Sequence, residues 1–323
     1  MKAAVIGESG LEIRDAPIPR PNSTEVLVKV RAAGLNRADL LMATGRFQGS
    51  HGAAGVVAGL EWAGEVIEVG RDVTNVKRGD RVMCAGAGGY AEFAVCDWGR
   101  AMVIPANNMT YEQAATLPVA LATMHDAVVT NGRLIDGETV LIQGASSGVG
   151  LMGMQIAKHK GAKLVIGTST NAERREQLHE YGADLAMDSA DPDWPDQVMN
   201  ATDGNGVNLI VDQISGGVAN QNLAAAAILG RIVNVGRLGG FKGEFDFDMH
   251  ALKRIDYIGV TFRTRSVEEV RDISTRMQAD LWNAVESGAL RLPIDRSFAL
   301  DDAAAAQAHM SANHHFGKIV LTV

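Results

Sequence analysis

Between Val140 and Gly150 the chain reads VLIQGASSGVG, and three chemistries can be written on it. Gly144-Ala145-Ser146-Ser147-Gly148 fits G-x-S-x-G, the sharp turn that presents a nucleophilic serine. The same letters nearly match the GASSGIG turn of enzymes that pass a proton through a tyrosine–lysine pair. Offset slightly, Ala145-x-Ser147-x-x-Gly150 is a worn form of the G-x-G-x-x-G turn that holds a dinucleotide pyrophosphate. Each chemistry needs partners elsewhere. A serine nucleophile requires a histidine, an acid and an oxyanion hole. His250, His309, His314 and His315 lie downstream, but no HGG-type segment precedes the turn. The proton relay requires a lysine four residues after a tyrosine, to lower the phenol pKa. Tyr90, Tyr111, Tyr181 and Tyr257 have Ala94, Ala115, Leu185 and Thr261 there, so that reading fails. The dinucleotide turn requires a strand before it, a helix after it and a second strand ending about 20 residues on.

The elements around the turn meet that requirement. Up to about residue 116 the chain reads as strands and glycine turns: EVLVKVRAAGL and AGEVIEVG alternate, and GDRVMCAGAGGYAEFAVC predicts two strands joined by a glycine turn. From about Leu117 the texture changes. Strands TVLIQGA, KLVIGTS, DLAMDS, VNLIVDQI and GRIVNVG alternate with helical GLMGMQIAKHKG, AERREQLHEYG and NQNLAAAAILG, with YIGVTF as a sixth strand. Short apolar strands alternating with helices build a parallel sheet through right-handed crossovers. A helix over Val267–Ser287, a short strand at IDRSFAL, a helix over Asp301–Asn313 and a last strand, GKIVLTV, complete the chain. The predicted class is α/β, with a doubly wound parallel sheet that is internal to the chain and flanked by segments that could fold into another domain. In that setting Ser146, Ser147, Gly148, Val149 and Gly150 lie against the pyrophosphate, at a helix start that attracts anions.

The end of the second strand separates the two dinucleotides. An NAD site places an acid there for the ribose 2′-OH. This strand ends Thr168-Ser169-Thr170-Asn171, and no acid occurs between Gly150 and Glu173. Hydroxyl and amide donors at Ser169, Thr170 and Asn171, with Arg174 and Arg175 one turn on, suit a 2′-phosphate. The expected cofactor is NADPH.

Composition narrows the partners. At 323 residues two domains are expected, and 46% hydrophobic with 21% charged residues is ordinary for a globular chain. A net charge of −8 disfavours nucleic acid and anionic membranes. No stretch reaches the roughly 20 apolar residues that span a bilayer, and MKAAVIGESG is too short an apolar run for a secretory signal. Cys84 and Cys96 form no CxxC pair and read as small buried hydrophobes. The expectation is a cytoplasmic protein acting on a small molecule.

Taken together, AAGLNRADLL, GLEWAGEVIEVG, VKRGDRV, GGYAEFAV, GASSGVG, GVNLIVDQISG, GRIVNVG and NHHFGKIVLTV resemble the medium-chain dehydrogenases/reductases. Within them the likeness is to the zinc-free quinone oxidoreductase, or zeta-crystallin, branch, and it covers nearly the whole chain. The resemblance implies a GroES-like catalytic domain from residues 1–117 and 266–323, a Rossmann NADPH domain over 118–265, and a homodimer or homotetramer. It places Asn36 where zinc-containing relatives carry a cysteine and Leu60 where they carry a histidine, so no metal is expected. Hydride would pass to a quinone or to the β-carbon of an enone or enal. A non-catalytic NADPH-binding structural or RNA-binding crystallin-like role is the alternative of another class. The resemblance also implies that Asn36 faces the nicotinamide and acceptor, with Asp39 shaping the same turn. Thr123 would pack on the nicotinamide; Gly236, Leu238, Phe262 and Arg263 would line the cofactor, and Lys318 would approach its phosphates. Phe47 stands where relatives usually carry tyrosine. His51, in the altered loop QGSHGAAGVVAG, and His125 join Phe47 as expected substrate contacts.

Overall fold

Apolar residues alternate along the N-terminal strands and run unbroken along the central ones, and the computed structural model divides accordingly. It describes residues 1–8, 10–43, 55–106 and 108–323. One unit comprises Met1–Val119 with Phe262–Val323; the other is Ala120–Thr261.

The first unit begins with β1 (Lys2–Ile6) and β2 (Leu11–Asp15), an antiparallel hairpin. Then come β3 (Glu25–Gly34), α1 (Arg37–Ala43), β4 (Glu61–Val69), β5 (Arg81–Ala85), β6 (Phe93–Asp97), β7 (Ala101–Val103) and α2 (Tyr111–Ala114). Helix α3 (Pro118–His125) leads into the second unit. There β8 (Thr139–Ile142), α4 (Gly148–His159), β9 (Leu164–Thr168), α5 (Ala172–Gln177), β10 (Leu185–Met187) and α6 (Trp194–Ala201) follow in turn. The unit ends with β11 (Val207–Asp212), α7 (Ala219–Ala225), β12 (Ala226–Asn234), α8 (Phe247–Lys253) and β13 (Asp256–Gly259). The chain then returns to the first unit through α9 (Val267–Glu286), β14 (Ile294–Ala299), α10 (Ala303–Ser311) and β15 (Lys318–Thr322).

In the second unit six parallel strands lie in the order β10-β9-β8-β11-β12-β13. The order reverses between β8 and β11, which is where doubly wound sheets open a crevice at their carboxyl ends. All four residues of β8 are buried, as expected of a parallel strand covered on both faces. Helix α4 packs tightly because glycines let it: a Cβ on Gly167 would come within 2.7 Å of Met154 Sδ.

In the first unit the order is β14-β15-β3-β4-β5-β7, with β6 pairing the first half of β3 and β15 its last three residues. Register shifts in the β3–β4 ladder are the bulges that bend such a sheet. Trp62, Tyr90, Val28, Val66, Leu35 and Ile319 fill the core. The register matters for function: Gly34 stands opposite both Glu61 and Val320, which brings three distant segments to one corner.

The two strands expected in GDRVMCAGAGGYAEFAVC form as β5 and β6, with β5 joining β4 and β7 and β6 joining β3. One expectation changes. The alanine run 224–227 is not all helix, because α7 ends at Ala225 and β12 begins at Ala226. The Lys253 ammonium donates to the carbonyls of Leu223, Ala224 and Ala226. That caps the helix end, and tertiary hydrogen bonding overrides alanine's intrinsic preference.

Candidate active site

At the end of β3 the chain turns into α1, and Asn36 sits in that turn, 7% exposed. Asp39 fixes the turn: its Oδ2 accepts the Asn36 backbone N–H at 2.8 Å and the Tyr90 hydroxyl at 2.6 Å. Asp39 Oδ1 is buried with no donor among the described residues. Burial pushes the Asp39 carboxyl up to about 7; the Tyr90 hydroxyl, the Asn36 N–H and the Lys318 charge oppose that, and Glu61 adds to it. Burial, then the neighbouring Asp39, also pushes the Tyr90 phenol well above its usual range, so Tyr90 stays a neutral donor.

The Asn36 side chain is held separately. Its Nδ2 donates to Glu61 Oε1 at 2.9 Å, and its Oδ1 accepts from Lys318 Nζ at 3.0 Å. Lys318 closes the ring by pairing with the same Glu61 oxygen. Glu61 Oε2 accepts the Val119 N–H at 2.9 Å. Glu61 is fully buried and Lys318 is 3% exposed. Gly34 makes room for the carboxylate, since a Cβ there would come within 2.7 Å of Glu61 Oε1. Removing one partner of such a buried pair typically costs about 3–5 kcal/mol. Lys318 lies on an interior strand, between β14 and β3, and its ammonium donates to Glu61 and Asn36.

This corner does not fit zinc, which takes thiolate, imidazole or carboxylate ligands. It offers no thiolate or imidazole: Glu61 Oε1 and Asn36 Oδ1 already hold the Lys318 ammonium, and Asp39 Oδ2 is taken by the Asn36 N–H and the Tyr90 hydroxyl. Among the described residues no three His, Cys, Asp or Glu side chains form a metal-ligating group.

In the second unit the glycine turn leaves β8 at its carboxyl end. Gly144 has φ +69°, and a Cβ on Gly150 would lie 2.7 Å from both Ala145 Cα and the Gly144 carbonyl oxygen. The Ser147 hydroxyl caps α4 by accepting the Gly150 N–H at 3.0 Å, and it lies 3.0 Å from both Gly144 O and Gln213 Oε1. Ser147 therefore shapes the turn through its side chain. Gly148 and Val149 open the helix. The Ser169 hydroxyl donates to Ser146 Oγ at 3.1 Å, joining the end of β9 to the turn. Thr170 is exposed, and Asn171 caps α5 by accepting the Arg174 N–H at 2.9 Å. Arg175 is held by Ser169 O at 2.8 Å and Asp188 at 2.9 Å.

Beneath the turn runs a buried polar chain that sequence reasoning missed. Thr168 Oγ1 accepts the Gly144 N–H and donates to Gln143 Oε1 at 2.7 Å. Gln143 Nε2 donates to Asn222 Oδ1, and Asn222 Nδ2 to Asp212 Oδ2. Asp212 Oδ1 then accepts the N–H groups of Ile214 and Ser215. Fully satisfied buried networks rigidify what they touch, and this one fixes the carboxyl ends of β8, β9 and β11. Its signal was faint: a lone glutamine before Gly144, and polar residues closing apolar strands.

The remaining expected residues have the following surroundings. Thr123 is half-buried on α3; Gly236 packs on Gln213, and Leu238 is exposed. Phe262 lies 5.9 Å from the Arg265 guanidinium, and Arg263 is exposed. His125 is 1% exposed where α3 runs into the π-helical turn Asp126–Asn131. Phe47 and His51 lie outside the described residues.

Residues 22–106 match the alcohol dehydrogenase GroES-like domain family, and residues 148–278 the zinc-binding dehydrogenase family. The quinone oxidoreductase of Rattus norvegicus is 30% identical over 307 residues, 94% of this chain and 90% of that protein. The chain belongs to the medium-chain dehydrogenase/reductase superfamily. It is also 30% identical, over 97% of its length, to a phenolphthiocerol/phthiocerol polyketide synthase polypeptide of Mycobacterium tuberculosis, but spans only 14% of that protein. The solved CurK enoyl reductase superposes with a TM-score of 0.87 at 26% identity, covering 99% of this chain and 98% of its own. Superfamily membership implies a nicotinamide dinucleotide, and the close-packed turn at Gly150 fits its pyrophosphate.

Proposed function

We propose that the protein is a metal-free, NADPH-dependent reductase of quinones or conjugated carbonyl compounds. The observation that carries the reading is the Lys318 ammonium seated on Asn36 and Glu61, where a catalytic metal would need those oxygens. The bound dinucleotide supplies a hydride from its nicotinamide. The chain supplies position. Ser146, Gly148, Val149 and Gly150 admit the pyrophosphate, with Ser147 holding the turn. Ser169, Thr170, Asn171 and Arg174 meet the 2′-phosphate; Arg175, tied to Asp188 and Ser169, supports the strand end. Asn36 faces the acceptor from a turn that Asp39 and Tyr90 keep rigid. Without a Lewis acid, the acceptor must already be activated by conjugation. The name of the rat relative supports a quinone.

One observation favours a conjugated C=C bond instead. Such a reduction needs an acid, and Asp39 is a buried carboxyl pushed up to about 7, three residues from Asn36. The likeness to CurK enoyl reductase points the same way. Oxidation of NADPH and NADH measured across quinones, enals and enones tests both readings. Consumption with quinones alone selects the first, and consumption with enones or enals the second. Consumption with none overturns both.

A further inference from the structure

The ring made by Asn36, Glu61 and Lys318 fixes more than the place of the Asn36 side chain. A primary amide has two faces of opposite hydrogen-bonding sense, and in most settings it can turn over. Here it cannot. Glu61 Oε1 demands a donor and receives Nδ2–H at 2.9 Å; Lys318 Nζ demands an acceptor and receives Oδ1 at 3.0 Å. A flipped amide would set oxygen against carboxylate and N–H against ammonium, inside a corner where all three residues are at most 7% exposed. Low-dielectric surroundings magnify that penalty. The backbone of Asn36 is pinned from the other side by Asp39 and Tyr90.

One group is left over. Nδ2 carries two hydrogens, Glu61 takes one, and the second has no acceptor among the described residues. The geometry assigns Glu61 and Lys318 as positioning residues that lock the Asn36 amide so that it presents a single N–H to the acceptor's carbonyl or quinone oxygen. An N–H aimed where negative charge develops stabilises that charge without reorganising at the moment of reaction. The ion pair thus does in this chain what a metal's charge does elsewhere, but indirectly, by setting the direction of a neutral dipole. The substrate class follows: an acceptor whose oxygen gains electron density on hydride addition, and not an alcohol that must lose a proton. The inference rests on the reading that Asn36 faces the acceptor.

The double variant Glu61→Gln/Lys318→Met tests it, because removing both charges leaves no lone buried ion. The expected result is a kcat about 100-fold lower, with the KM for the acceptor and the Kd for NADPH changed by less than about threefold. Lys318→Arg, which keeps a cationic donor, is expected to retain most of the activity. A double variant whose kcat stays within about twofold of wild type overturns the inference, while the proposed function stands. Should the double variant not fold, Glu61→Met/Lys318→Met, which also leaves no lone buried ion and keeps no partner for the Asn36 amide, is judged by the same figures. Should wild type reduce no acceptor, the proposed function fails. The lock is then read by hydrogen exchange at the nitrogen-15-labelled Asn36 side chain. A locked amide exchanges one proton at least about tenfold more slowly than the double variant does; equal rates overturn it.

Discussion

Replacing Asp39 by asparagine tests the electrostatics of the Asn36 turn at one atom. The carboxyl is 1% exposed, with both of its donors on Oδ2 and none on Oδ1. Burial raises it from the usual 3.8 to about 7. A carboxyl raised by folding holds its proton longer in the folded chain than in the unfolded one. The folded state therefore binds more protons between about pH 4 and pH 7, stability falls as pH rises through that window, and it levels off above 7. From about pH 5 to pH 8 the loss is roughly 2.5 kcal/mol, at about 1.4 kcal/mol per pH unit. An asparagine oxygen can still accept from Asn36 and Tyr90, but its NH₂ replaces the orphan oxygen. That adds an offset of about 1–3 kcal/mol that does not vary with pH. Urea unfolding of both proteins across this range isolates the slope. The wild-type advantage at pH 5 should shrink by roughly 2.5 kcal/mol by pH 8. A difference constant to within about 0.5 kcal/mol would refute the buried, raised carboxyl.

Two further predictions concern the cofactor turn. Arg174→Ala should weaken NADPH binding about 10- to 100-fold, the worth of one charge-assisted hydrogen bond, and leave NADH nearly unchanged; equal losses would remove the 2′-phosphate assignment. Gly150→Ala drives a methyl to 2.7 Å from Ala145 Cα and Gly144 O, so it should cost about 1–3 kcal/mol in thermal unfolding and lower NADPH affinity. An unchanged Kd would mean that the turn does not need this close packing to bind.

Much of the fold was legible because burial leaves a direct trace in sequence. TVLI is apolar throughout since β8 is covered on both faces, and EVLVKV alternates since one face of β3 meets water more than the other. The glycine turn was legible for a similar reason, as only small residues fit between β8 and α4. The Asn36 corner was not. Its partners lie 25 and 282 residues away in the chain, joined by sheet register that no local pattern encodes. Glu61 reads as an ordinary strand start in GLEWAGEV, and nothing near Lys318 in sequence points to Glu61. Likewise AAAA promises helix, and only Lys253, from α8, explains why α7 stops inside it.

The central claim is that hydride transfer here proceeds with Lys318, and no metal, at the Asn36 corner. Metal content and the turnover of NADPH with its best acceptor, measured on the same protein after exhaustive chelation, test it most directly. The account predicts an undiminished rate in protein stripped of zinc. A rate that falls with the metal and returns when zinc is restored would contradict it.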